Sequence, residues 1–168
     1  SEKLNIKTGP KLKKSTKHID VKNKTTMSKE VSDGLNKIKL IDPTFSTSEF
    51  IGGSKAAYSM IIEAFAEGDK ETLKSLLTSK VYKVYINEIN TREKSKYKQV
   101  TDLVRLSEAT IKSIKVSGKI ATIEVVYKAE LSSALFDDDN KLIKGDPDIL
   151  ALISETWSYK KDLTSNNY

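Results

Sequence analysis

The sequence predicts an α+β fold in which N-terminal helices pack on one face of an antiparallel sheet. Up to about residue 95, apolar residues recur at the three- and four-residue spacing of amphipathic helices. From about Val100 they alternate with polar residues, and short polar turns separate the alternating segments. Helices that precede a run of hairpin-connected strands are typical of the α+β class.

The helix predicted over residues 48–69 carries the longest apolar pattern and is expected to form the core of the domain. Its broad apolar stripe contains Ile51, Tyr58, Ile62 and Phe65. Ser48 is the expected N-cap and Gly68 the residue that ends the helix. Gly52 and Gly53 lower the helix propensity. We therefore expect either close backbone packing at these glycines or a helix that begins near Ser54.

Three shorter helices flank or follow this core helix. Val31, Leu35 and Ile38 share one face of the first, with Ser28 near its cap. Asp69 can cap the next, whose buried stripe is leucine-rich. Ser79 can cap the last, in which the apolar residues are Val81, Tyr82, Tyr85, Ile86 and Ile89.

Extended segments make up the second half of the chain. The alternation over 106–116 slips near residues 112–114, which predicts a β-bulge. A hairpin turn is expected at Ser117-Gly118-Lys119, followed by the clearest strand over 122–131. Asp137–Asn140 is expected to form an acidic turn and Gly145-Asp146-Pro147 a second turn. The last strand is expected over 150–161.

Charge separates an N-terminal arm from the rest of the chain. Residues 1–40 contain eleven lysines and four acidic residues, whereas the remainder is nearly neutral. We expect a basic mobile arm over 1–27, because it has few large apolar residues and no sustained period. A short amphipathic helix with its connection follows over 28–44, then the folded domain over 45–163 and a tail over 164–168.

Few residue patterns that carry catalysis are present, so the sequence predicts a non-enzymatic protein without a cofactor or metal. The chain has no cysteine, and its one histidine, His18, lies in the arm, which excludes thiolate and Ser-His chemistry. It has no glycine-rich phosphate loop. Asp137–Asn140 lacks the glycine and distal glutamate of a calcium loop and is interpreted as an acidic hairpin tip. An acid–base enzyme built from tyrosine and aspartate stays open as an alternative.

The order of several short motifs resembles the C-terminal domain family of the mitochondrial inner-membrane translocase subunit Tim44 and its bacterial relatives. The resemblance covers 45–162. The matching motifs are Gly53, Ala57-Tyr58, Ile62, AFAEGD, LKSLL, Val81-Tyr82, Ile89, Arg92, Ala109-x-Ile111, ATIEVVY, Gly145-Asp146-Pro147 and Glu155-x-Trp157-x-Tyr159. The family usually has arginine at the position of Lys161.

This resemblance implies a cone-shaped fold of the nuclear-transport-factor-two-like superfamily, with helices against a curved antiparallel sheet. It also implies a peripheral protein of an energy-transducing inner membrane that takes part in protein translocation. A bacterial inner membrane is the favoured location, and the matrix side of the mitochondrial inner membrane is the alternative. Attachment would be peripheral or through an anchor outside this sequence.

The basic N-terminal side is the first candidate site, expected to contact anionic lipid such as cardiolipin. Each lysine near an anionic leaflet contributes about 1 kcal/mol. The expected membrane-contacting residues are Lys11, Lys13, Lys14, Lys17, Lys22, Lys24, Lys29, Lys37, Ile38 and Lys39. RNA or ribosome attachment through the same lysines is an alternative.

An apolar cavity between the helices and the sheet is the second candidate site. Its expected lining residues are Tyr58, Ile62, Phe65, Tyr82, Tyr85, Tyr127 and Trp157; simple core packing is the alternative for most of them. Arg92 and Glu155, both at matching family positions, are expected to form a structural ion pair that joins the last helix to the last strand.

Together these expectations favour a membrane-peripheral domain in protein translocation or membrane-protein assembly. It would bind lipid headgroups through its basic side, and a hydrophobic peptide or acyl segment in its hydrophobic pocket. Other proteins of the translocation machinery are the expected partners. A small-molecule-binding protein or enzyme of the same superfamily is the alternative.

Overall fold

A computed structural model describes residues 27–164 and the backbone of residues 5–6. Within this part of the chain the elements are β1 (Asn5–Ile6), α1 (Lys29–Ile41), α2 (Thr47–Glu67), α3 (Lys70–Leu76), α4 (Ser79–Lys94), β2 (Lys98–Ser117), β3 (Ile120–Phe136) and β4 (Leu142–Asp162). The strands form one antiparallel sheet in the order β1-β4-β3-β2. The predicted α+β class is therefore confirmed.

The core helix α2 begins slightly earlier than its sequence predicts. The hydroxyl of Ser46, rather than that of Ser48, caps it by accepting a hydrogen bond from the Glu49 amide at 3.2 Å. Gly68 ends the helix in the left-handed region, at φ 73°. The helix passes through Gly52-Gly53, where an added Cβ would meet nothing within 4 Å. The glycines therefore have no close backbone packing, and the helix does not begin near Ser54. Burial of the other residues of α2 sustains the helix.

The first helix, α1, is a layer of the same core rather than a separate segment. Val31, Leu35 and Ile38 are buried in one cluster with the apolar residues of α2. Gly34 lies against β2, where an added Cβ would stand 2.6 Å from the Cβ of Ile114. α1 therefore packs in the same core as α2, and a close approach occurs at a glycine that the sequence analysis did not single out.

Side-chain caps also define the two remaining helices. Asp69 caps α3 as expected, accepting from the Thr72 amide at 3.2 Å. The cap of α4 is Thr78, one residue before the expected Ser79. These short connections place α3 next to α2 and α4 next to α3.

The three long strands carry several irregularities that bend the sheet. The register of β2 on β3 shifts at Lys112 as predicted, and also at Val104 and Ser107. The expected turn at residues 145–147 is wrong, since β4 continues through it. Ser133 pairs with Asp146 and Leu131 with Ala151, so residues 147–150 bulge out of an otherwise continuous strand.

One face of the sheet packs against the helices. Its buried side chains include Ala121, Ile123, Val125, Tyr127, Ala129, Trp157 and Tyr159. Among the described residues, none of the four helices combines the length and the hydropathy that a membrane-spanning segment needs.

Candidate functional site

A groove of about 1180 Å³ lies between α4 and the part of the sheet where β2 begins and β3 ends. Most of its wall is apolar, formed by Ile62, Phe65, Val81, Val84, Tyr85, Leu131 and Leu135. Charged side chains at its wall are Lys80, Glu88, Arg92 and Lys144. The groove therefore combines a long apolar surface with a small number of charges.

A chain of hydrogen bonds runs across one end of this groove. Arg92 Nη1 donates to Gln99 Oε1 at 2.7 Å, and Gln99 Nε2 donates to Thr101 Oγ1 at 3.1 Å. The Thr101 hydroxyl in turn lies 3.2 Å from the Ser133 hydroxyl. The chain links α4 to β2 and β3 and sets the position of the guanidinium.

Arg92 also closes the C-terminal end of α2. Its Nη2 donates to the carbonyl oxygens of Phe65 at 2.7 Å and Ala66 at 3.4 Å, and its guanidinium lies 4.9 Å from the centre of the Phe65 ring. Burial lowers the pKa of Arg92, and Glu88 and Glu93 oppose that shift. The side chain stays charged, because even a lowered arginine pKa lies far above neutral.

The expected ion pair between Arg92 and Glu155 is wrong. Arg92 faces the end of α2, whereas Glu155 lies among aromatic side chains, where it accepts hydrogen bonds from Tyr58 OH at 3.1 Å and Trp157 Nε1 at 3.0 Å. Burial raises the pKa of Glu155 to about 7, and the bonds from Trp157 and Tyr58 oppose that shift. Glu155 is 4% exposed, so this carboxyl group is a buried polar centre of the fold.

Several tyrosines surround this carboxyl group. Tyr127 OH donates to the Ser54 carbonyl at 3.0 Å and also contacts Tyr159 OH. The hydroxyl of Tyr85 is buried and has no hydrogen-bond partner. Burial is the main reason why the pKa values of Tyr58, Tyr85 and Tyr159 are raised. These phenols stay protonated throughout the physiological range.

The structure divides the expected pocket residues into two groups. Ile62, Phe65 and Tyr85 line the groove. The rings of Tyr58, Tyr127 and Trp157 are fully buried and stack on one another, with centroids 4.6–5.2 Å apart. These three rings are therefore part of the packed core, which was the alternative to a pocket role. Tyr82 is half-buried and does not line the groove.

A family model described as the Tim44-like domain matches residues 31–168. The chain belongs to the Tim44-like domain family. This Tim44-like domain is 21% identical over 147 residues to the mitochondrial import inner membrane translocase subunit TIM44-1 of Arabidopsis thaliana. The alignment covers 84% of the chain but only 30% of that relative's length.

Among solved structures, the Tim44-like domain is similar to the intermembrane space region of the chloroplast protein ARC6. The TM-score is 0.41 at 20% sequence identity, with 66% of this chain and 82% of the ARC6 chain covered. This likeness is too distant to carry information about function.

The exposed face of α1 in the Tim44-like domain presents lysines, as expected, but not the expected isoleucine. Lys29, Lys37 and Lys39 are exposed. Ile38 is 0% exposed because it packs in the core, so its expected membrane contact is wrong. Leu40 is 85% exposed instead. It lies two residues, or about 200° around the helix, from Ile38, and this spacing was available from the sequence.

Some residues of the expected sites are not described by the structure, and some groove residues were not expected. Lys11, Lys13, Lys14, Lys17, Lys22 and Lys24 lie outside the described residues. Gln99, Thr101, Ser133 and Lys144 are groove residues that the sequence analysis missed. They are ordinary polar residues of strands, and only the pairing of β2, β3 and β4 brings them to the end of α4.

Proposed function

We propose that this Tim44-like domain is a non-enzymatic, membrane-peripheral domain of protein translocation or membrane-protein assembly. Family membership supports this proposal, as does the curated relative, whose name describes a mitochondrial import translocase subunit. That name favours the mitochondrial inner membrane over the bacterial location that the sequence analysis preferred. Proteins of the translocation machinery are the proposed partners.

The observation that carries the membrane part of the proposal is the end of α1. Leu40, 85% exposed, lies beside the exposed ammonium groups of Lys37 and Lys39. An apolar side chain between cations suits the interface of an anionic bilayer, where the chain enters the acyl boundary and the cations meet phosphates. Cardiolipin, an anionic lipid, is the proposed headgroup source.

Vesicle flotation at low salt tests this docking. We expect cardiolipin vesicles to bind the domain more tightly than neutral vesicles. Replacing Lys37 and Lys39 together by Gln should weaken binding roughly 30-fold, since each lysine contributes about 1 kcal/mol. Leu40→Ser should weaken it further by removing the inserted side chain.

Met60→Ser is the matched control, because Met60 is an exposed apolar residue on α2. Its variant should bind like the parent chain. Equal binding to neutral and cardiolipin vesicles, or full binding by the Leu40 and double-lysine variants, would refute docking through α1.

The groove is the proposed site for a hydrophobic peptide or acyl segment, because its wall is long and largely apolar. The enzyme alternative is less well supported among the described residues. Glu155, the buried acid with a raised pKa, does not line the groove and already accepts two hydrogen bonds. RNA attachment depends on arm lysines that lie outside the described residues.

A further inference from the structure

The cationic residues of the groove are unevenly distributed along its length. Arg92 lies in the last turn of α4, whereas Lys80 lies in the first turn, about 18 Å away along the helix axis. Gln99, the partner of Arg92, pairs with Leu135, which pairs with Lys144 on the next strand. Lys144 is therefore only two strand spacings, about 10 Å, from Gln99 in the sheet. One end of the groove thus holds two cations.

Arg92 has hydrogen-bonding capacity that the protein does not use. A guanidinium carries five N–H donors, and the contacts with Gln99, Phe65 and Ala66 engage three of them. All three acceptors are uncharged. No carboxylate lies within salt-bridge distance of Arg92 among the described residues. The charges of Glu88 and Glu93 also act on Arg92. A half-buried arginine with free donors and only uncharged hydrogen-bond partners is still suited to an incoming carboxylate or phosphate.

The acidic residue of the groove opposes such a ligand but does not cancel the cations. Glu88 lies one turn before Arg92 on α4 and is exposed. The charged groove residues are otherwise Lys80, Arg92 and Lys144, so the lining has a net positive charge. An anion at the Arg92 end therefore meets attraction from Arg92 and Lys144 and repulsion from Glu88. Glu93 is also near enough to act on the charge of Arg92, but it is paired with Lys70 at 3.3 Å.

Beyond this cationic end, the groove is apolar. The Phe65 ring lies between Arg92 and Tyr85. The other apolar lining residues include Ile62 on α2, Val81 and Val84 on α4, and Leu131 on β3. Val84 is 56% exposed and Phe65 is half-buried, whereas Ile62, Val81 and Leu131 are buried, so Val84 and Phe65 offer the accessible apolar surface. A ligand that fits both parts has an anionic head and an apolar chain.

We propose that the groove binds a single-chain anionic lipid, with its carboxylate or phosphate at Arg92 and Lys144 and its acyl chain along Val84 and Phe65. This proposal rests on the proposed function. Of the two ligands proposed there for the groove, it selects the acyl chain rather than the hydrophobic peptide. Arg92 is then a ligand-binding residue as well as the residue that closes α2.

Competition with a fluorescent fatty acid, below the micelle concentration, tests the proposal on the full chain. The competitors are dodecanoate, dodecanoyl lysophosphatidate, monododecanoylglycerol and dodecyltrimethylammonium, which share a twelve-carbon chain. We expect at least one of the anions to bind tenfold or more tightly than the neutral and cationic compounds. Comparison of dodecanoate with lysophosphatidate identifies a carboxylate or a phosphate head.

Substitutions at the rim of the groove separate the head from the chain. Lys144→Gln should weaken binding of the anions about threefold to tenfold and leave the affinity for the neutral glycerol ester unchanged. Glu88→Gln should tighten binding of the anions by a similar factor. Val84→Asn removes apolar surface without adding charge and should weaken binding of every competitor. Lys83→Gln is the control, since Lys83 is exposed on α4 and does not line the groove. All four residues are exposed, so we expect these variants to fold even where an Arg92 variant unfolds.

Equal affinity for the anionic and neutral compounds would overturn the proposal. So would unchanged anion preference in both the Lys144 and Glu88 variants, or binding of an apolar peptide alone. Vesicle flotation measures α1 separately. If flotation still depends on Leu40 while the groove shows no anion preference, the groove ligand is wrong and membrane docking stands.

Discussion

Glu155 shows how one residue sets the chemistry of the domain interior. Its carboxyl group is buried, receives hydrogen bonds from Tyr58 and Trp157, and has no cation within salt-bridge distance among the described residues. A buried charge without a counter-ion is costly. The group therefore tends to hold a proton near neutral pH, and its raised pKa expresses that tendency.

Stability should consequently fall as pH rises from about 4.5 to about 7. The folded pKa of Glu155, about 7, exceeds the ordinary value of 4.5, so the folded state holds the proton more tightly than the unfolded state. This contribution, on the order of 3 kcal/mol, is complete below the unfolded pKa and is lost as pH rises through the folded pKa. Urea unfolding at a series of pH values measures it.

Glu155→Gln is the control for this pH dependence, because the amide does not titrate. Its free energy of unfolding should lack the decline between pH 4.5 and 7, whatever its absolute stability. An equal decline in the parent and the Gln variant would assign the pH dependence to other groups.

Two tyrosines near Glu155 should respond oppositely to loss of the hydroxyl. Tyr85→Phe removes a buried hydroxyl without a partner, so stability should stay the same or rise by about 1 kcal/mol. Tyr58→Phe removes a donor to Glu155 and should cost about 1–3 kcal/mol. Denaturant unfolding of both variants at pH 8 tests the pair. Destabilisation by Tyr85→Phe as large as that by Tyr58→Phe would show that Tyr85 has a partner.

At the scale of elements, the contact of α1 with β2 ties the N-terminal helix to the sheet. The close approach occurs at Gly34 and Ile114, and it lets Val31, Leu35 and Ile38 reach the core. α2 tolerates two glycines on its exposed side because its buried side, from Phe50 to Ala64, carries the stability. The two helices therefore use glycine for different reasons.

Gly34→Ala should destabilise the domain by about 1–3 kcal/mol, because its Cβ would overlap Ile114 and push α1 from β2. Gly53→Ala, on the open face of α2, should instead stabilise by about 1 kcal/mol through helix propensity. Thermal melts of both variants check the contrast. Equal effects of the two substitutions would mean that the α1–β2 contact is looser than the structure has it.

At the scale of the whole molecule, the two proposed sites lie on different elements and can be measured separately. α1 carries the exposed lysines and Leu40, whereas the groove lies between α4 and the far part of the sheet. Docking through surface lysines should weaken as salt is raised, because the Debye length falls to about 3 Å at 1 M salt. Ligand binding to the half-buried Arg92 should depend less on salt. Flotation and ligand competition across one salt series would separate the two sites.

Local periodicity was sufficient to predict much of this architecture. The helical stripes, the side-chain cap at Asp69, the end of α2 at Gly68 and the bulge at Lys112 depend on residues close in sequence. The same short-range order carried the resemblance to the Tim44 family. The predicted N-caps were wrong by only one or two residues. Ser46 rather than Ser48 caps α2, and Thr78 rather than Ser79 caps α4.

Long-range partners were decided only by the tertiary structure. Arg92 and Glu155 form no ion pair, because α4 directs one to the end of α2 while β4 directs the other among the aromatic rings. The same packing buries Tyr127 and Trp157 but leaves Phe65 and Tyr85 at the groove. Each bulge shifts the strand register, and a one-residue shift moves every later side chain to the opposite face. Sequence patterns therefore determined which segments are helix and strand, and the summed register determined which side chains meet.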